Sequence, residues 1–169
     1  MAEDDALIRH WCRTGEESAF ERFYHAQSPA LWRFLVVRGI DREDAYDLVA
    51  EAFGRFIGTV CGCPDAPRAF LYRIALNLAT DRFRRRQVRP EARKDPDATE
   101  HGQPPVELAE EARRLLADLD PGEQDLLLMR YWLGMTHREV AEVLEIPEGT
   151  VRRRAAVLIN RLQDRIDDA

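Results

Sequence analysis

The chain is poor in the features that mark secreted, membrane and metal proteins. It has three cysteines in 169 residues, an odd number, and Cys61 and Cys63 stand only two apart, so no disulfide framework is expected. No second Cys/His pair follows that tight spacing, which removes the usual zinc pattern and leaves Cys12, Cys61 and Cys63 as buried or incidental thiols. None of His10, His25, His101 and His137 has a glutamate three residues before it, so the inward pairs of a helical di-metal site are missing too. No apolar run approaches the roughly 20 residues that cross a bilayer, and the opening Met-Ala-Glu-Asp-Asp is acidic where a secretory signal is basic. Alternating β-branched stretches bounded by turns are absent. The expectation is an all-α cytoplasmic protein with no cofactor, no metal, no membrane insertion, no small-molecule substrate and no enzymatic activity.

What is present is helical periodicity in two blocks. Apolar residues make up 45% of the chain, enough for packed cores in one domain or two small ones. Before residue 87 the spacing predicts helices near 4–13, 16–38, 42–59 and 67–86. Pro29 opens a turn or kink in the second, Asp41 caps the third, and Pro67 sits in the first turn of the fourth. Residues 87–105 hold Pro90, Pro96, Pro104 and Pro105 among polar residues and read as a flexible tether. Helices near 106–118, 121–133, 136–145 and 148–166 follow, with Gly134 closing the second of them. The fold expected is two small helical domains, 1–86 and 106–169, joined by that linker.

The last two helices make a helix-turn-helix. Thr136 and Glu139 have the spacing of a capping box, and Val140, Ala141 and Leu144 share a face. Pro147 cannot continue that helix but suits the first turn of the next, where Val151, Ala155, Leu158 and Leu162 draw one inward stripe. Arg152, Arg153, Ala156 and Asn160 are left outside, as a helix entering a major groove requires. An αα-hairpin with a solvated basic face, or a simple helix-turn-helix regulator, fits the same residues.

Two further constellations bear on partners. Net charge is −6, yet Arg82, Arg84, Arg85, Arg86, Arg89, Arg93 and Lys94 face the single acid Glu91, and local patches set nucleic-acid binding through counterion release. The fourth helix leads into this run, with Phe70, Ile74 and Leu78 as its apolar stripe and Tyr72, Arg73, Leu76, Asn77, Thr80 and Phe83 on other faces. Aromatic, amide and arginine groups on one element suit single-stranded nucleic acid. On the third helix Asp44, Asp47, Leu48 and Glu51 recur at three and four, while Ala45, Val49, Ala52, Phe53 and Phe56 face inward. Like charges at that spacing are unfavourable unless something basic meets them, which makes the stripe a candidate docking face.

Three stretches together resemble the extracytoplasmic-function (ECF) sigma factors of bacterial RNA polymerase. They are Asp41-Arg-Glu-Asp-Ala-Tyr-Asp-Leu-Val-Ala-Glu-Ala-Phe53, Phe70-Leu-Tyr-Arg-Ile-Ala-Leu-Asn-Leu-Ala-Thr-Asp-Arg-Phe-Arg-Arg-Arg86, and Leu119-Asp-Pro through Gly149-Thr-Val-Arg152. The resemblance implies that Asp44, Asp47, Leu48 and Glu51 grip core RNA polymerase. It implies that Cys63, Pro64 and Asp65 lie in a loop capturing a flipped base of the minus-ten element, and that Arg73, Asn77, Arg84, Arg85 and Arg86 hold the melted strand. Thr136, Thr150, Arg152, Arg153 and Arg154 would read the minus-thirty-five element of promoter DNA as duplex. The tether lets both domains engage at once, and an anti-sigma factor is the expected inhibitor.

The chain departs from the family at Tyr46, where a carboxylate is usual, so phosphorylation of Tyr46 or of Thr59 is a candidate means of restoring negative charge. Phe70 replaces a common tryptophan. Arg152-Arg153-Arg154-Ala155-Ala156 differs from the usual Lys-Ser-Arg-Leu type, so the promoter preference is its own. A sigma-like mimic that sequesters a regulatory partner is the alternative, although it needs none of these arginines.

Overall fold

The computed structural model describes residues 2–62, 65–88 and 114–167, and among them there is helix and no strand. The chain divides into two compact units, Met1–Leu115 and Leu116–Ala169. The first contains α1 (Ala2–Thr14), α2 (Glu17–Val37), α3 (Arg42–Thr59) with a 3-10 turn over Val60–Gly62, and α4 (Pro67–Val88). The second contains α5 (Pro121–Leu127), which widens into a π turn over Leu128–Trp132, then α6 (His137–Leu144) and α7 (Glu148–Asp167). Helix α4 runs to Val88, past the expected start of the tether at 87. The rest of that tether, and residues 106–113 of the helix expected at 106–118, lie outside the described residues.

Local chemistry sets the helix ends. The Asp41 carboxylate accepts from the Glu43 N–H at 3.0 Å and starts α3. Ala66 offers α4 no such acceptor, and Asp5 of α1 supplies one instead, accepting from the Arg68 N–H at 2.8 Å. The helix expected over 16–38 is α2, which continues through Pro29. His25, Ala26 and Pro29 are all exposed, so the His25 carbonyl that proline leaves without its donor lies on the side open to water.

Aromatic rings fill the first core. Phe23 and Phe56 are both 0% exposed and stacked with centroids 5.5 Å apart, and Phe53 meets Phe23 edge-on at 6.3 Å. Tyr72 was expected away from the core but is fully buried, packed edge-on to Phe34 at 5.8 Å under the Arg68 guanidinium. Burial pushes its phenol well above the usual tyrosine range. The inward arc of α4 is Leu71, Tyr72, Ala75, Leu78 and Ala79, while Phe70 and Ile74 are half-exposed at its edge.

In the second unit the sequence rules hold closely. Asp120 and Glu123 form one capping box and Thr136 and Glu139 another. Gly134 takes a left-handed φ of 63° after the π turn, and the Arg130 guanidinium donates to the Met135 carbonyl at 3.0 Å, joining α5 to the start of α6. Arg161 of α7 clasps the Glu123 carboxylate with both of its terminal nitrogens, at 3.2 and 3.1 Å. Thr136→Ala is expected to destabilise this unit by about 1 kcal/mol, lowering its thermal midpoint by roughly 5 °C. Thr136→Ser keeps the acceptor and should show no such shift in the same melting experiment.

Candidate nucleic-acid and partner interfaces

The acidic stripe of α3 separates into three different environments. At ~100° per residue, Leu48 falls at the border of the arc formed by Ala45, Val49, Ala52 and Phe56. It is 1% exposed, so the docking role expected of Leu48 gives way to a place in the core. Asp44 also turns inward: its side chain is 15% exposed and its carboxylate pairs with the Arg82 guanidinium of α4. Asp47 is 75% exposed and only loosely approached by Arg82, at 3.9 Å. Glu51 pairs with Arg55 one turn on, at 2.7 Å, with both side chains about half exposed. The basic groups that such a stripe calls for thus come partly from this chain itself, and Asp47 and Glu51 are the carboxylates that face solvent.

Arg82 stands apart from its neighbours for a geometric reason. It continues the inward arc of Leu71, Ala75 and Leu78, roughly 180° around α4 from Arg73. The other side of the helix carries Phe70, Arg73, Asn77, Thr80 and Arg84 within an arc of roughly 80°, spread over ~20 Å of helix. The Arg73 guanidinium lies 5.3 Å from the Phe70 ring centre. Asn77, Arg84 and Arg85 are exposed, with Arg85 on a neighbouring face. Arg86 belongs to the helix but its side chain lies outside the described residues. A ring, an amide and two guanidiniums along one edge can stack on bases and track a phosphate backbone.

Of the residues expected in the base-capturing loop, Cys63 and Pro64 lie outside the described residues. Asp65 is exposed, and its carbonyl accepts from Arg9 of α1 at 3.1 Å. The expectation of incidental thiols is overturned here: Cys12 and Cys61 are bonded as a disulfide. No spacing rule reveals this pair, because its two members are 49 residues apart and meet only when α1 returns beside the end of α3.

The helix-turn-helix presents its arginines unequally. Val151, Ala155 and Leu158 are at most 2% exposed, and Glu145, at φ 54°, makes the left-handed turn between the helices. Opposite that stripe stand Arg153, Ala156 and Asn160, all exposed. Arg152 is held along the helix by Glu148 at 2.8 Å. Arg153 and Arg154 both border a hollow shared with Asp120, Glu123 and Val157, toward α5, but only Arg153 stands straight across the helix from the buried stripe. Thr150 is half-exposed in the first turn of α7, and the Thr136 oxygen is occupied by its capping bond to the Glu139 N–H at 3.2 Å. Arg153 is therefore the side chain best aimed at a groove.

Tyr46 is 49% exposed, its ring tilted against Trp32 at 5.2 Å. Thr59 lies thirteen residues along the same helix, ~20 Å away, and its hydroxyl donates to the Arg55 carbonyl at 2.8 Å. A phosphate there would sit in the helix C-terminal turn, where added negative charge is disfavoured and cannot reach the Asp44 to Asp47 region. Among the described residues no His, Cys, Asp and Glu cluster is arranged to hold a metal ion, and no helix is long and apolar enough to cross a membrane.

Comparison with known proteins bears on these surfaces. Residues 23–89 match the Sigma-70 region 2 family and residues 109–156 match the Sigma-70, region 4 family. The chain is 31% identical over 152 residues to the ECF RNA polymerase sigma factor SigC of Mycobacterium tuberculosis, covering 84% of this chain and 80% of that one. It is 27% identical over 166 residues to an RNA polymerase sigma-E factor of Streptomyces avermitilis, covering 90% and 88%. In fold it is similar to CnrH, solved in complex with the cytosolic domain of CnrY, with a TM-score of 0.71, 22% identity and 98% of each chain covered. It is likewise similar to the sigma factor RpoE of Bartonella quintana, solved with the anti-sigma factor NepR, at a TM-score of 0.66, 18% identity and coverage of 88% and 96%.

Proposed function

Because the chain belongs to the extracytoplasmic-function sigma factors of bacterial RNA polymerase, we propose that its two helical units divide promoter recognition between opened and closed DNA. A sigma factor binds core polymerase and directs it to promoters to start transcription. In this chain Asp47 and Glu51 carry the polymerase contact on α3, the only members of the acidic stripe with their carboxylates turned to solvent. The edge of α4 from Phe70 to Arg84, together with Asp65, holds the melted minus-ten strand. Arg153, flanked by Arg152 and Arg154, reads the minus-thirty-five duplex. The units of this assignment are 1–86 and 106–169, working in the cytoplasm beside the polymerase, under an anti-sigma factor that covers the polymerase-binding face.

The observation that carries the reading is the exposure of Arg153 straight across α7 from Val151, Ala155 and Leu158, which turns that side chain away from the packed side of the helix. The test is run-off transcription reconstituted with core polymerase and a randomised promoter pool, sequencing the transcripts. Arg153→Ala is expected to weaken duplex binding, lower its salt slope by about 1 and leave polymerase binding intact. Asp47→Arg should weaken polymerase binding and leave duplex binding unchanged. Equal loss of polymerase binding in both variants would count against the division of labour.

A further inference from the structure

Cys12 in the last turns of α1 and Cys61 in the turn after α3 are joined with their Cα atoms 5.4 Å apart, a span that a disulfide bridges without backbone movement. Cys61 is exposed and Cys12 half-exposed, so soluble oxidants and reductants reach the pair. Arg9 and Arg13 line the same open hollow as both cysteines. The thiolate is the form of a cysteine that reacts. In the reducing compartment where polymerase works, disulfides that do form are commonly transient and redox-sensing.

The position of the bond ties it to nucleic acid. The chain passes from Cys61 into α4 at Pro67, and two other contacts hold this entry to α1: the bond from Arg9 to the Asp65 carbonyl at 3.1 Å and the one from the Arg68 N–H to Asp5 at 2.8 Å. Phe70 and Arg73 follow directly. We propose that Cys12 and Cys61 form a reversible redox site whose oxidation fixes the start of α4 against α1 and strengthens binding of single-stranded promoter DNA. This rests on the strand-holding role given above to the Phe70 to Arg84 edge.

The oxidant is hydrogen peroxide. The Cys61 thiolate attacks one peroxide oxygen, breaking the O–O bond to give a sulfenic acid and hydroxide. The Cys12 thiolate then attacks the Cys61 sulfur, forming the S–S bond and expelling a second hydroxide. The two thiol protons convert both hydroxides to water, so two electrons leave the sulfurs and one peroxide becomes two waters. A dithiol reverses the step by exchange and is itself oxidised to a disulfide. Holding the binding edge in place beforehand removes an ordering cost from association, which sets the sign of the effect.

The test uses the full chain in its peroxide-treated and dithiol-treated states, with free thiols alkylated before peptide mapping, and a fluorescent random-sequence single-stranded DNA pool as the probe. A Cys12 to Cys61 linked peptide is expected after peroxide and lost after dithiol, with single-stranded DNA bound about fivefold more tightly by the oxidised protein, the low end of ordinary coupling between sites. In Cys12→Ser and in Cys61→Ser the two treatments should give equal binding. Finding a different linkage or none overturns the redox site, as does equal binding by the two states of the unsubstituted chain. Absence of single-stranded DNA binding in both states overturns the role given to α4, and the peptide map then shows whether the bond itself survives that failure.

Discussion

A Val151→Asp chain is expected to lose duplex DNA binding entirely while keeping its binding to single-stranded DNA. Val151 is 0% exposed and begins the stripe that seats α7, with Ala155 and Leu158 at 2% behind it. The same unit buries Leu126, Met129, Met135 and Val140 to 1% or less, so an aspartate there finds no water. Removing a carboxylate from water costs several kcal/mol, and the lost valine packing adds about 1 to 2 more. A unit of this size holds only about 3 to 8 kcal/mol in all, at 0.05 to 0.15 per residue. The substitution is thus sufficient to unfold it. Limited proteolysis should cut within residues 116–169 and spare α1 to α4, and Val151→Ile should behave as the unsubstituted chain. Loss of single-stranded DNA binding in Val151→Asp would contradict the separate folding on which this rests. Arg153→Ala provides the contrast, since it should weaken the same duplex binding with the unit still folded.

The pattern of what was legible in the sequence follows the range of each interaction. Capping at Asp41 and Thr136, the turn at Pro147, and the stripe of Val151, Ala155 and Leu158 depend on neighbours within four residues, and the structure contains each of them. Pro29 lies inside α2 with the His25 carbonyl it deprives of a donor on the side open to water, and which side of a helix meets water is a tertiary fact. Tyr72 was expected on another face, but its position on α4 lies beside Leu71 and Ala75. Arg82 was grouped with the arginine run by composition, whereas its spacing from Leu71, Ala75 and Leu78 already put it on the inward arc. The helical angle carried that information. Nothing local marked Cys12 and Cys61 as partners, nor Asp5 as the cap of α4, because these contacts exist only once α1 packs across the end of α3 and the start of α4.

Arg82→Ala is expected to cost about 2 kcal/mol of stability, between the small value of an exposed ion pair and the 3 to 5 of a buried one. Arg82 is 33% exposed and Asp44 15%, so removing the guanidinium leaves a carboxylate mostly shielded from water without its main countercharge. Asp44→Asn should cost less, since an amide leaves no charge to compensate. The double substitution should recover part of the loss from Arg82→Ala, giving a coupling of about 1 kcal/mol in a thermodynamic cycle. Additive costs would mean that the pair is incidental. The functional consequence separates two carboxylates that the sequence presents as equivalent. Asp44 is engaged with Arg82 and joins α3, to which we assign the polymerase contact, to α4, to which we assign the melted strand. Asp47, 75% exposed on the next face, is free to meet a basic partner. Asp44→Asn should therefore lower the melting temperature while leaving polymerase affinity nearly unchanged, and Asp47→Asn should weaken polymerase binding at an unchanged melting temperature. If Asp44→Asn weakens polymerase binding as much as Asp47→Asn does, Asp44 is a contact residue and its pairing with Arg82 must open when polymerase binds.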